Sequence, residues 1–120
     1  MKDNNQIAID SKNFAIRIVK TYKYLNDVKK EFVMSKQILR SGTSIGANIS
    51  ESVFAQSKQD FISKLSISLK EASETKFWLE LLHETDYIND VQFNSLYNDN
   101  SKLIGTLVNI INSTKNKNNI

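Results

Sequence analysis

The chain has no cysteine and no proline, and only three glycines and one histidine among its 120 residues. Without cysteine there is no disulfide framework, no thiolate zinc site and no cysteine nucleophile. The glycines, Gly42, Gly46 and Gly105, fit neither a phosphate-binding P-loop nor a dinucleotide fingerprint. No apolar run approaches the roughly 18 residues that span a membrane. The first residues, Met1 to Gln6, lack the apolar stretch of a signal peptide, so a cytoplasmic location is expected. Small all-β domains need many tight turns rich in glycine and proline. Scarcity of both favours a few long helices joined by short loops.

What is present supports one modest core. Apolar residues make up 40% of the chain and charged residues 24%. At this length folding buries roughly two-thirds of the unfolded surface. A single domain over residues 1–120 is expected, ordered from about 10 to 114, with flexible tails at 1–9 and 115–120.

Four segments carry helical periodicity. In the first, from about Ser11 to Val28, Phe14, Ile18, Tyr22 and Leu25 share a face, with Asp10 or Ser11 as N-cap. The second, about Phe32 to Phe54, has the stripe Ile38, Gly42, Ile45, Ile49 and Val53. The third runs from about Lys58 to Asp86, opened by Ser57 as N-cap with Asp60 three residues on. The fourth covers about Val91 to Thr114 behind Asn89-Asp90, with a fray or kink near Asn98. Four such helices with short connections predict an all-α fold, an antiparallel up-down-up-down four-helix bundle.

Three groups of residues stand out. Gly42, Gly46 and Ser50 form a row of small residues on the second helix, beside Asn48 and Glu51. Each interior glycine costs about 1 kcal/mol relative to alanine, so the row predicts close approach of a neighbouring helix. Asn48, at the edge of the stripe, is expected to pair with Glu51 or Arg40 and fix register. The third helix has a second apolar face, Ile67, Phe77, Trp78 and Leu81, which a small bundle cannot bury alone. It is the candidate oligomer interface. Lys29, Lys30, Lys36, Arg40 and Lys58 are the candidate nucleic-acid contacts, in a chain of net charge +3.

Catalytic signals are weak. Glu80-Leu81-Leu82-His83 has the E-x-x-H spacing of bundle metal sites, but those sites need the motif twice. No positioning motif accompanies a serine, His83 and Asp86. No catalytic residue, metal, cofactor or small-molecule substrate is therefore expected, and no membrane partner.

The run Ile38-Leu39-Arg40-Ser41-Gly42-Thr43-Ser44-Ile45-Gly46-Ala47-Asn48-Ile49-Ser50-Glu51 resembles the signature of the four helix bundle protein family. That family was first noted as products of intervening sequences in 23S ribosomal RNA genes. Ala55, Ser57, Asp60-Phe61, Lys64-Leu65, Lys70-Glu71 and Phe77 to Leu82 extend the resemblance, which covers about residues 10 to 114. It implies a bundle that assembles into a homopentameric ring and has no established enzymatic activity. A relative, the accessory variability protein of diversity-generating retroelements, is a basic pentamer that associates with a reverse transcriptase and nucleic acid. Many members carry a basic residue soon after the Asn-Ile pair, where this chain has Ser50 and Ala55. The leading expectation is a non-catalytic, ring-forming structural protein. The alternative is an accessory factor that contacts RNA or DNA phosphates, with a reverse-transcriptase-like or ribosomal RNA partner.

Overall fold

A computed structural model describes the backbone of residues 2–117 and the side chains of residues 6–117. Four helices follow one another: α1 (Lys2–Asp27), α2 (Met34–Ser52), α3 (Lys58–Glu84) and α4 (Asp90–Asn116). Among the described residues there is no strand. Each helix packs on the next, α4 returns against α1, and the pairs α1/α3 and α2/α4 are diagonal. The result is an antiparallel four-helix bundle about 53 Å long and 22 by 20 Å across.

The helix starts are set by local chemistry. Ser57 Oγ accepts the Asp60 N–H at 3.0 Å, and the Asp60 carboxylate takes the Gln56 N–H at 3.1 Å. At α4, Asn89 Oδ1 accepts the Gln92 N–H while Gln92 Oε1 accepts the Asn89 N–H, a closed capping box. At α2 no hydroxyl or amide caps the helix. The Glu31 carboxylate does so instead, taking the N–H groups of Val33 and Met34 at 3.2 Å and of Ser35 at 2.8 Å.

Apolar positions at helical spacing fill the core: Ile7, Phe14, Ile18 and Leu25 from α1, Ile38, Ile45 and Ile49 from α2. Leu65, Ala72, Leu79 and Leu82 of α3 meet them, as do Leu96, Leu103, Leu107, Ile110 and Ile111 of α4. A polar layer runs through this core. Thr75 Oγ1 donates to Ser41 Oγ, Ser68 Oγ to the Ile45 carbonyl, and Asn100 Nδ2 to the Ala72 carbonyl. Each bond offsets part of the cost of burying a polar group, although Asn100 Oδ1 is buried without a partner among the described residues.

Several expectations need correction. Helix α1 starts at Lys2, not near Ser11, so residues 2–9 are helical rather than a tail, and Ile7 lies in the core. Asp10 and Ser11 sit inside α1, so neither is its N-cap. Ser11 is buried against Gly46, whose added Cβ would lie 3.3 Å from the Ser11 carbonyl oxygen. Lys115 and Asn116 belong to α4; Met1 and residues 118–120 fall outside the described residues. Val53 and Phe54 follow the end of α2 and are 70% and 83% exposed, so Val53 does not continue the core stripe. Helix α4 is unbroken through Asn98. Its polar run is used instead by Asp99, which holds Arg17, and by Asn100.

Gly105 lies on the exposed side of α4, with no heavy atom within 4 Å of the position of an added Cβ. Gly105→Ala is therefore expected to raise stability by about 1 kcal/mol through helix propensity alone. Urea denaturation should show a higher midpoint at unchanged slope. A lower midpoint would mean that something packs on that backbone.

Candidate interaction surfaces

The surface begins with what α3 cannot bury. Its core side carries Leu65, Ser68, Ala72, Thr75, Leu79 and Leu82. One turn around the helix, Ile67 and Phe77 are 40% and 55% exposed, and Trp78 and Leu81 are half-buried. Phe77 and Trp78 meet edge to face, ring centres 5.0 Å apart. Such pairing adds about 0.5–1.5 kcal/mol beyond area and fixes both rings.

An ion-pair cluster borders this face on the α2 side. Arg40 reaches across from α2, donating to Glu71 at 3.1 Å and to Glu74. Glu74 also accepts the Trp78 indole N–H at 2.9 Å. The indole bond first, then the Arg40 bonds, hold the Glu74 carboxyl below the usual carboxylate range. Arg40 is correspondingly raised, chiefly by its bond to Glu74. The pair is substantially exposed, so its contribution is that of a surface ion pair, below about 1 kcal/mol. Any stability it confers is present above the ordinary carboxylate pKa and is lost as pH falls through the lowered value.

The cation cluster expected from sequence is divided. Lys29 and Lys30 lie exposed on the α1–α2 connection and Lys36 is exposed on the first turns of α2. Arg40 is committed to Glu71 and Glu74. Lys58 begins α3 at the opposite end of the bundle, and its Nζ is enclosed with no hydrogen-bond partner among the described residues. Only Lys29, Lys30 and Lys36 share a corner open to a partner.

The small-residue row is also divided. Gly42 faces α1, where an added Cβ would lie 2.7 Å from Ile18 Cγ1, and Gly46 faces Ser11. Ser50 is exposed and takes no part in that seam. Asn48 donates to the Ser44 carbonyl on its own helix rather than to Glu51 or Arg40. Glu51 lies 3.6 Å from Lys64 of α3.

His83 Nε2 lies 2.7 Å from Asp90 Oδ1, and its ring stacks on Phe93 with centres 4.3 Å apart. Among the described residues no group of three or more His, Asp or Glu side chains is gathered as metal ligands. One feature had no sequence signal beyond a lone arginine. Arg17 crosses from α1 to Asp99 at 2.5 Å and to Ser95, bracing the loosest helix seam. Two open clefts of about 370 and 310 Å³ flank it.

The family described as 23S rRNA-intervening sequence protein matches residues 3–109. The chain belongs to this family. Its helices superpose on a crystal structure of a protein of unknown function from the S23 ribosomal protein family of Bacteroides thetaiotaomicron. That chain is 55% identical, the match covers 92% of this chain and 98% of that one, and the TM-score is 0.91. No curated protein sequence matches. Within the 23S rRNA-intervening sequence family, then, this protein is an all-α four-helix bundle.

Proposed function

We propose that the protein is a non-catalytic scaffold that assembles into a homo-oligomeric ring, five-membered by the family resemblance. The observation that carries the reading is the exposed apolar face of α3, with Ile67 and Phe77 in solvent beside Trp78 and Leu81. A second exposed apolar face lies on α1, formed by Ile9, Ile16 and Val19. The two helices are diagonal, so the faces point away from each other. Different patches meeting head to tail make a heterologous interface, which generates rings or open filaments.

Both patches incline toward α2. Ile67 and Trp78 lie along the flank of α3 that also carries Glu71 and Glu74, the partners of Arg40. On α1, Val19 is turned to the α2 side, away from the flank where Arg17 meets α4. The angle between the patches is therefore less than a straight line. Repeated docking of α3 on α1 would turn in one sense, which is what a closed ring requires of a heterologous contact.

Light scattering at micromolar concentration tests this. The wild type should have a mass several times 13.7 kDa. The double variant Ile67→Asp/Phe77→Asp should be monomeric with unchanged helical circular dichroism, since both positions are exposed. A monomeric wild type, or a variant that still assembles, would refute the proposal.

A further inference from the structure

The connection between α1 and α2 has inverted polarity. Glu31 is 8% exposed, while the neighbouring Phe32 and Val33 are 52% and 72% exposed and Val28 is 64% exposed. A carboxylate turned inward beside a phenylalanine turned outward is the reverse of the usual distribution. The fold accounts for Glu31, which caps α2 through three backbone N–H groups. It does not account for Phe32, Val33 or Val28, since a turn of serine and asparagine would connect the helices equally well.

The connection is also held still. The Glu31 N–H donates to the Leu25 carbonyl at 2.9 Å, and those of Val28 and Lys29 to the Tyr24 carbonyl at 2.9 and 3.3 Å. Lys30 adopts a left-handed conformation, φ 54°, a position that favours glycine. Anchored on both sides by Glu31, the apolar side chains are presented on a fixed loop. Three exposed lysines, Lys29, Lys30 and Lys36, flank them along the chain.

The geometry points to a peripheral docking tip for an anionic phospholipid surface. Val28, Phe32 and Val33 enter the boundary between headgroups and acyl chains, and Lys29, Lys30 and Lys36 face the lipid phosphates and carboxylates. Apolar tips flanked by lysine suit lipid better than nucleic acid. Two of the three apolar residues are valines, which offer no ring for a base to stack on. The tip also has no free guanidinium, because Arg40 is engaged by Glu71 and Glu74.

Acidic groups at the same end set the orientation. Asp27 ends α1, and Glu84, Asp86 and Asp90 lie on the exposed α3–α4 corner. The three at the α3–α4 corner keep it away from an anionic surface, while Asp27 alone opposes the three lysines at the tip, so the α1–α2 corner leads and attachment is salt-sensitive. Among the described residues no helix is long and apolar enough to cross a membrane, so the contact is at the surface. The proposal departs from the sequence-based expectation of no membrane partner. The tip lies at the end of the bundle, off the α1 and α3 faces, and does not depend on the ring.

Co-sedimentation with phosphatidylcholine vesicles, with and without phosphatidylserine, tests the proposal. The wild type should pellet only with phosphatidylserine vesicles at low salt and be released at high salt. Phe32→Ser/Val33→Ser should cut the bound fraction about tenfold, because apolar insertion and charge are both required. Lys29→Glu/Lys30→Glu should remove the preference for phosphatidylserine, and Val108→Ser, on α4, should change nothing. Thermal melts of each variant check folding, and the lysine pair serves if the apolar pair melts early. A wild type that stays in solution with phosphatidylserine vesicles at low salt would overturn the proposal, as would undiminished pelleting of both tip variants. So would tip residues needed for retention of structured RNA on a filter while vesicles go unbound.

Discussion

Glu31→Ala should lower stability by about 2–4 kcal/mol, the larger part from the buried donor it strands. The first N–H groups of any helix lack partners within it, and the N-terminal end of the helix dipole favours negative charge there. At α2 one carboxylate meets both needs, bonding to Val33, Met34 and Ser35. Val33 is exposed and Met34 half-buried, so water can replace the carboxylate at those positions at modest cost. Ser35 is fully buried, and its N–H would be left without an acceptor. A stranded buried donor costs about 1–3 kcal/mol, and loss of the capping interaction about 1 kcal/mol more. Glu31→Gln keeps one accepting oxygen but turns an amide N–H toward the helix donors, so it should recover only part of the loss. Urea denaturation of the three proteins gives the order wild type, Gln, Ala. An alanine variant within about 0.5 kcal/mol of wild type, the range of ordinary surface changes, would show that solvent caps α2 equally well.

Glu31 also marks where the sequence was hard to read. Lys29-Lys30-Glu31 looks like a polar exit, and nothing local says that one of these charges turns inward. The caps at Ser57 and Asn89 were legible because donor and acceptor are three residues apart. The start of α1 was misread for a related reason. Asp10-Ser11 has the composition of an N-cap, but Ser11 is small because the Gly46 backbone passes close to it. Once Ser11 is admitted to the stripe, Ile7, Ser11, Phe14 and Ile18 follow one helical period.

The polar core layer lies beyond a hydrophobic pattern. Ser41, Ser68, Thr75 and Asn100 are buried, yet each reads as surface by residue type. Their partners are 23 to 34 residues distant in sequence. The same holds for Arg40, which reads as a phosphate contact until α3 brings Glu71 and Glu74 to it. The apolar face of α3 was legible because four large side chains on a second side of one helix conflict with a single core. Which cations stay free for a partner depends on helix pairing, and periodicity does not specify that.

Gly42→Val should cost about 3 kcal/mol or more, the sharpest test of how α1 and α2 are seated. An added Cβ would lie 2.7, 2.9 and 3.1 Å from Ile18 Cγ1, Cγ2 and Cδ1. Those are overlaps, and Ile18 cannot turn away easily, because a β-branched side chain in a helix is nearly confined to one χ1 rotamer. Alanine recovers about 1 kcal/mol of helix propensity against an overpacking cost of about 1–3 kcal/mol, so Gly42→Ala should be mildly destabilising. Valine adds two further methyl groups to the same overlap and must push the helices apart. Ile18→Ala alone should cost about 2–5 kcal/mol through the cavity it opens. If Gly42 is glycine because Ile18 fills its place, the methyl of Gly42→Ala enters that cavity. The double variant Ile18→Ala/Gly42→Ala is then more stable than the two single costs predict, by about 1 kcal/mol or more. Urea denaturation of the four proteins in this cycle measures the coupling. Additive costs would mean that α1 already yields at this seam and that the glycine serves some other contact.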